Sequence, residues 1–519
     1  MRVLGLGGLD HNGAAAVLDR GTIQVNLEAE RVTREKNVGL IDERTIIALL
    51  DALDVRRVDV IAVADRSFWA ERRGWLEPLL RRRFGATAPI LTVLHHDCHL
   101  MAAMVASPWE EALCVSIDGK GDGTSTMAAV ARREGLSSSL VRVPSAHSLG
   151  RLWWGVGEYC GLSGHHSAGK VMALAAYGEP LGLFEPHVKL LPGGAFELCP
   201  RQLHPDTFRQ VPRIVAWLEE QLGTSAGTLH PGAASSIQRL TEVIVQHVVG
   251  AGVRASALRR VCLSGGVALN GLANQALIER GVVDELSVPP FTDDRGLAIC
   301  AAAVVSAQIG FPVLASAGSF SPYLGLPAAP VLPADGWAVR PLGLRRLVDR
   351  LLASEVVAVY RGCDEAGPRA LGHRSILASP TPPGMRDHLN VSIKHREPFR
   401  PFGCAVKAEV ASAWFDLDGP SPYMLRIAQV RQAKAALIPS ALHVDGTTRI
   451  QTVTEQDGSG LWQILDLLEA RGHPPVVINT SLNGSGEPIA HRPEEALAVA
   501  DRLGIKAIYI EESLLERVS

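Results

Sequence analysis

Arginine recurs through residues 361–402, at positions 361, 369, 374, 386, 396 and 400, with Lys394 and histidines at 373, 388 and 395 among them. Gly, Pro and small residues separate these cations, so they do not form the alternating face of a solvated helix. Phe, Leu and Ile in the same stretch argue against a disordered basic tail. Guanidinium groups presented from turns suit a planar oxyanion, because the guanidinium fork pairs bidentately with phosphate or carboxylate. Arg449 in HVDGTTRIQTV extends the set, as do Asn479, Thr480, Ser481 and Asn483 in NTSLNGSGEP, at the end of an expected strand. Arg369, Arg374, Lys394, Arg396, Arg400, Arg449, Asn479 and Asn483 are therefore expected to hold a nucleoside triphosphate or an acyl phosphate. The competing reading pairs the arginines with Asp364, Glu365, Asp387 and Glu397.

A second chemistry is spelled in TVLHHDCHLMAAMVAS. A spacing of four puts His95 and His99 on one helix face, where two imidazoles can share one metal ion. Asp118 closes the strand CVSID, and Asp294 opens a DRG turn. Two histidines and one or two carboxylates suit Fe(II), Mn(II) or Zn; capping or solvated histidines are the alternative. Ser264-Gly265-Gly266-Val267 ends a strand before a helix near Asn270, where bare backbone amides could receive a phosphate or a ribose edge, or simply make a tight packing turn. Lys170, in HHSAGKVMALAAYG, opens a helical run and could reach a ligand phosphate or lie in solvent. GxxxxGK[ST] is absent, and the early GLGG is too short for a dinucleotide fingerprint.

These residues need a framework. RVLGLGG, AAAVLD and TIQVNLEAE read as three strands joined by turns, and EALCVSIDGKGDGTSTMAAVARREG repeats the strand, glycine turn, strand pattern about 110 residues on. Two such units resemble the duplicated halves of the actin/Hsp70/sugar-kinase fold. Helices are expected over ERTIIALLDAL, 227–254, NGLANQALIERG and RGLAICAAAVVSAQIG. Residues 311–344 are rich in Pro, Gly and Ala and mark the expected boundary between domains 1–335 and 345–519. The chain has 519 residues, a net charge of −3 and 20% charged side chains, which fits an α/β protein and argues against general nucleic-acid binding. Eight cysteines without a CxxC pair read as reduced thiols. Without a signal peptide or an apolar span of about 20 residues, a cytoplasmic protein is expected.

HNGAAAV, EAERVTREKN, HHDCH, IDGKGDG, GKVMALAAYG, LSGGVALN, GPRALGHRSILA, KHREPFRPF, HVDGTTRIQTV and NTSLNGSGEPI follow one another from residue 11 to about 490. In this order they resemble the O-carbamoyltransferases, a family that includes the tobramycin, nodulation-factor, cephamycin and ansamycin enzymes. The resemblance implies two α/β domains: an actin/Hsp70-like (ASKHA) duplicated N-terminal domain, and a C-terminal domain similar to threonylcarbamoyl-adenylate synthase. It implies that the second domain converts carbamoyl phosphate and ATP, with Mg, to carbamoyl-adenylate and diphosphate. The first would transfer the carbamoyl group to a substrate hydroxyl with the help of a divalent metal, Fe(II), as in antibiotic biosynthesis. By resemblance His95, His99, Asp118 and Asp294 would hold the metal, His11 would be the catalytic base, and Lys36, Lys170, Gly265, Gly266 and Asn270 would surround the adenylate. The expected partners are carbamoyl phosphate, ATP and a small hydroxyl acceptor, without nucleic acid or membrane, and a homodimer stays open. The chain departs from the family pattern at Asn12, Ala29, Asn37 and Ala168, a set that points to acceptor recognition. A tRNA threonylcarbamoyl-transfer enzyme and a non-catalytic actin-like nucleotide-binding protein are the alternatives.

Overall fold

The computed structural model describes residues 1–162, 164, 167–199, 211–314, 320–328, 335–341 and 343–518. The chain forms two compact units. One comprises Met1–Asn26 and Gly39–Phe320, the other Leu27–Val38 and Ser321–Ser519. A cut at residue 335 assigns Leu27–Val38 to the first domain; in the structure this strap groups with the second, because its side chains hydrogen-bond to residues 367 and 487–489. Of the expected linker 311–344, residues 315–319, 329–334 and 342 lie outside the described residues.

The first unit contains two sheets. One runs β3 (Thr22–Glu28), β2 (Ala14–Asp19), β1 (Arg2–Gly7), β4 (Val60–Ala64), β5 (Ile90–Val93). The other runs β13 (Glu285–Ser287), β12 (Arg260–Ser264), β6 (Glu111–Gly121), β7 (Thr124–Arg132), β8 (Gly135–Leu136), with β9 (Val141–Pro144) also paired to β7. In each, a long hairpin is antiparallel (β1 with β2, β6 with β7), and two further strands add in parallel on the other side (β4 and β5, β12 and β13). The repeated strand order is the duplicated α/β architecture expected from the two strand–turn–strand units. A short antiparallel pair, β10 (Val188–Leu190) and β11 (Phe196–Leu198), follows the second hairpin. The third strand is shorter than TIQVNLEAE suggests: it ends at Glu28, and Ala29–Thr33 turns into a short helix closed by Arg34 at φ 62°.

The second unit holds one nine-stranded mixed sheet. Its order is β14 (Trp337–Arg340), β22 (Ser513–Arg517), β21 (Ala507–Ile510), β15 (Val357–Tyr360), β16 (Arg374–Ala378), β20 (Val476–Ser481), β17 (Gly403–Lys407), β19 (Thr447–Val453), β18 (Arg426–Gln429). Apolar clusters lie on this sheet, one including Leu347, Leu351, Leu377, Val477 and Leu465, and another including Ile376, Ile478, Ile508 and Leu515. All eight cysteines are free thiols, six of them buried. No helix among the described residues is long and apolar enough to cross a membrane.

One packing contact governs the first unit's geometry. The helix Leu297–Gln308, LAICAAAVVSAQ, is buried from Leu297 to Ser306 and lies on β1, where its small side chains let the backbones approach. A Cβ on Gly5 would fall 2.0 Å from the Ala298 carbonyl oxygen, and one on Gly7 2.4 Å from the Ala298 nitrogen. Neither neighbour can move, since both are backbone. The turn Asp294–Gly296 feeds directly into this helix, so the contact also fixes Asp294. Gly7→Ala is expected to lower unfolding free energy by about 1–3 kcal/mol through overpacking. Gly74→Ala, in the helix Arg66–Phe84 with open space around its Cβ position, should instead raise it by roughly 0.5–1 kcal/mol. Denaturant titration of the two variants reads both signs.

Candidate functional site

The helix His95–Ala106 begins where the Asp122 carboxylate, at the tip of the β6–β7 hairpin, accepts the His95 backbone N–H at 2.9 Å. Both ring faces of the helix start are buried, and His95 is seated over Gly121, where a Cβ would lie 2.0 Å from the imidazole. A bulge between Ile117 and Gly121 interrupts the β6–β7 register at Asp118 and re-aims its carboxylate. His95 Nε2 lies 3.2 Å from Asp118 Oδ2 and 3.8 Å from Asp294 Oδ1, and His99 Nε2 lies 3.5 Å from Asp294 Oδ1. Ligand atoms of His95, His99, Asp118 and Asp294 all fall within 4.8 Å of one another. His11 Nδ1 approaches the other oxygen of Asp294 at 3.5 Å, so the expected base adjoins the expected metal ligands.

The electrostatics favour a cation at this point. Burial by itself would push the His95 pKa down, but Asp294, Asp118 and Asp65 outweigh it and hold the ring protonated well above its ordinary range. Burial would raise Asp118 and Asp294; the hydrogen bond from His95 and the nearby His99 reverse this for Asp118, as His11 and His95 do for Asp294. A divalent ion would take the place of the His95 proton among these carboxylates, and His99 Nε2, buried without a hydrogen-bond partner, is a ready donor. The residues present therefore fit a metal.

Three residues of this centre escaped the sequence reading. Asp65 caps the helix Arg66–Phe84 through Phe68 N–H (3.1 Å) at φ 68°, and its other oxygen lies 3.4 Å from His95 Nδ1. A strand-ending VAD before a helix was the available signal. Gly121 and Asp122 have no signal beyond their turn. His96, between the two ligands, faces away: it bonds Ser116 Oγ (2.9 Å) and the Thr124 carbonyl (3.1 Å), and burial with its two histidine neighbours pushes it down to about 3.

The glycine turn behaves differently from expectation. Gly265 N–H donates to Thr292 O at 2.7 Å, and Gly266 N–H donates to Asp118 Oδ1 at 2.7 Å. The amides expected to receive a phosphate are thus committed, and Gly266 serves to fix Asp118. Asn270 caps the helix Gly271–Glu279 and exchanges amide hydrogen bonds with Gln238 (2.8 and 3.2 Å). Lys170 lies half-buried in the first turn of the helix Ser167–Ala175. Lys36, expected in the same set, belongs to the second unit, where its Nζ donates to Glu487 O at 3.0 Å.

In the second unit Arg449, Gly403 and Asn479 stand in one cross-strand row on β19, β17 and β20. Burial and the adjacent Arg369, Arg396 and Arg400 push Arg449 well below its ordinary range. Arg396, stacked on Phe402, is pushed down to about 9 by burial and Arg400. Lys394 is buried, lowered by burial and by Arg396, Lys36 and Arg400, and donates to Ser481 O, Asn483 O and Asn483 Oδ1 at 2.7–2.8 Å. Asn479 donates to Ala370 O (3.3 Å) and Gln451 Oε1 (2.9 Å), leaving its own buried Oδ1 without a hydrogen-bond partner. Arg374 differs from expectation. It is 0% exposed, pairs with Asp364 at 2.9 Å, bonds the Arg361 and Gly362 carbonyls and stacks on Tyr360 at 3.8 Å, so its guanidinium builds the unit's core instead of meeting a ligand. Arg400 lies 3.5 Å from Glu397, and Glu365 spends Oε1 on the backbone amides of Leu371, His373 and Arg374.

The Carbamoyltransferase N-terminus model matches residues 76–303, which contain the histidine–aspartate centre, and the Carbamoyltransferase C-terminus model matches 348–517, which contain the arginine cluster. Nodulation protein NolO of Bradyrhizobium diazoefficiens is 33% identical over 419 residues, 78% of this chain and 75% of the relative. The chain belongs to the carbamoyltransferase family. This carbamoyltransferase is also 28% identical over 545 residues to nodulation protein NolNO of Sinorhizobium fredii, 98% of this chain and 79% of the relative. Among solved structures, full-length HypF in a phosphate- and nucleotide-bound form aligns with 59% of this chain and 55% of its own, at 14% identity and a TM-score of 0.39. Two of the carbamoyltransferase's departures from the family pattern, Asn12 and Asn37, adopt φ 54° and 60°, a region that Asn tolerates better than most residues.

Three outcomes follow for the metal. Asp65→Asn should weaken metal binding about 10–100-fold by releasing the far side of His95; chelator competition measures it. Because the His95 proton must leave when a metal enters, affinity should fall as pH is lowered through the neutral range, and His99→Ala should abolish stoichiometric loading in elemental analysis.

Proposed function

We propose that this carbamoyltransferase is an ATP-dependent O-carbamoyltransferase working in two half-reactions. In the second unit, carbamoyl phosphate gives up its phosphate, and the carbamate oxygen attacks the α-phosphorus of Mg-bound ATP. Carbamoyl-adenylate forms while phosphate and diphosphate leave, with one water consumed. In the first unit, the hydroxyl of a small specialised metabolite attacks the carbamoyl carbon and AMP leaves. The observation that carries this reading is Arg449, half-buried on β19 in the cross-strand row with Asn479, with Arg369, Arg396 and Arg400 as its principal charged neighbours. Like charges at this density are stabilised by an anion bearing several negative oxygens, and the guanidinium fork matches it. The carbamoyl amide has a suitable acceptor in Asn479 Oδ1 in the same row.

In the first unit His95, His99, Asp118 and Asp294 would hold the divalent ion, Fe(II) in this reading. When bound, it supplies Lewis-acid polarisation to an oxygen of the donor. His11 performs the proton step. With Nδ1 facing Asp294 at 3.5 Å, Nε2 is the nitrogen that would accept the proton of the acceptor hydroxyl as the new C–O bond forms. The partly exposed His11 ring suits contact with an incoming substrate, whereas the ligand histidines are buried. A role in antibiotic biosynthesis and a cytoplasmic location fit this chemistry, since ATP and carbamoyl phosphate are cytoplasmic metabolites.

The two half-reactions separate experimentally. Arg449→Gln should reduce carbamoyl-phosphate-dependent exchange of diphosphate into ATP by two orders of magnitude or more, while metal content stays at the wild-type level. His11→Gln should keep that exchange and lose about 10²–10⁴-fold in carbamoyl transfer, read by mass spectrometry as the product one carbamoyl group heavier. A wild-type protein, metal-loaded and supplied with ATP and carbamoyl phosphate, that forms no carbamoyl-adenylate would contradict the scheme.

A further inference from the structure

The strap Leu27–Val38 lies far from the arginine cluster in sequence, yet its charged side chains reach two loops of the second unit. At one end, Glu28 Oε1 accepts the Gly367 N–H at 2.6 Å and Arg31 Nη2 donates to the Gly367 carbonyl at 3.4 Å. Gly367, at φ 98°, is two residues from Arg369. Arg31 is 1% exposed and lies 3.4 Å from Glu28, so the pair is a fixed, buried element. At the other end, Arg34 donates to the Ile489 carbonyl (2.8 Å) and the Pro488 carbonyl (3.1 Å), and Lys36 donates to the Glu487 carbonyl (3.0 Å). That same Glu487 carbonyl accepts from Asn483 Nδ2 at 2.7 Å, and Asn483 accepts from Lys394. A salt bridge from Arg34 to Glu495 at 3.1 Å holds the guanidinium in place.

The targets are chiefly backbone atoms: Gly367 N and O, and the carbonyls of residues 487–489. Side chains that bind backbone set the path of a loop, and here both loops carry groups of the anion site. We propose that the strap is a working part of the activating site, with Glu28 and Arg31 positioning the turn that carries Arg369 and Arg34 positioning the loop that carries Asn483. The proposal rests on the reading of the second unit as the ATP and carbamoyl-phosphate site. Glu28, Arg31 and Arg34 are positioning residues and act through Arg369, Asn483 and Lys394. The strap thereby links the motif EAERVTREK, expected from the sequence to serve the adenylate and acceptor, to formation of the activated donor instead.

The full-length chain tests this. Arg34→Gln removes two carbonyl contacts at a half-buried position, and Glu28→Gln loosens the Gly367 clamp. Both are compared with the wild type in diphosphate exchange into ATP, with carbamoyl phosphate varied, and in calorimetric binding of inorganic diphosphate. KM for carbamoyl phosphate is expected to rise tenfold or more in Arg34→Gln, with diphosphate bound at least tenfold more weakly, while metal content and melting temperature stay close to wild type. If Glu28→Gln fails to fold, Arg34→Gln decides the matter. Exchange and diphosphate binding at wild-type levels in Arg34→Gln, with loss confined to carbamoyl transfer, would overturn the strap's role. A wild-type chain that shows no exchange sinks the functional reading itself, and is distinguishable because it fails before any variant is compared.

Discussion

Three carboxylates converge on one imidazole in the first unit. Asp65 faces Nδ1 of His95, while Asp118 and Asp294 face Nε2, and all four groups are buried. Buried negative charges in this number need a cation, because the low dielectric of the interior leaves each carboxylate costly without a partner. The surrounding fold is arranged around that need. Gly121 makes room for the ring, the bulge in β6 turns Asp118 inward, Gly266 N–H and the glycine approach of Leu297–Gln308 to β1 fix the remaining carboxylates, and Asp122 starts the histidine helix. A protonated His95 satisfies that charge, and a divalent ion would do so in its place.

The second unit poses the opposite problem. Arg449, Arg369, Arg396 and Arg400, all half-buried, gather positive charge near the buried Lys394. Their mutual repulsion is tolerated because the loops bearing them are tied down by other means: Glu365 collects three backbone amides, Lys394 binds three oxygens of the 481–483 turn, and the strap clamps Gly367 and residues 487–489. Each unit thus stores unbalanced charge of one sign on a rigid frame. In the proposed two-step transfer, a metal would supply the missing charge in one unit and phosphates in the other.

Much of this was legible in residue order. The HxxxH spacing put His95 and His99 on one helix face. Asp118, expected to close its strand, sits at a bulge inside β6, and the fold brings it and Asp294 to the two histidines. The duplicated strand–turn–strand pattern carried the two-sheet architecture. Less legible were roles that depend on which backbone group finds which partner. The LSGGVALN turn looked like a phosphate cradle, yet its amides go to Thr292 and Asp118. Arg374 looked equivalent to its neighbours, yet burial against Tyr360 and Asp364 makes it structural. Asp65 stands thirty residues from His95, and nothing in local spacing connects them.

What the sequence by itself determined is the chemistry present: paired imidazoles and carboxylates, a cluster of guanidiniums among turn residues, and the α/β periodicity that carries them. These are local properties, written in residue type and short-range spacing. Tertiary structure decided which of these groups are spent on the protein and which are left for a ligand, and it moved Leu27–Val38 from the unit suggested by its place in the chain to the other. Hydrogen bonds and burial between residues hundreds of positions apart, such as Arg34 with Ile489 and Glu28 with Gly367, settle that allocation, and no local pattern encodes them.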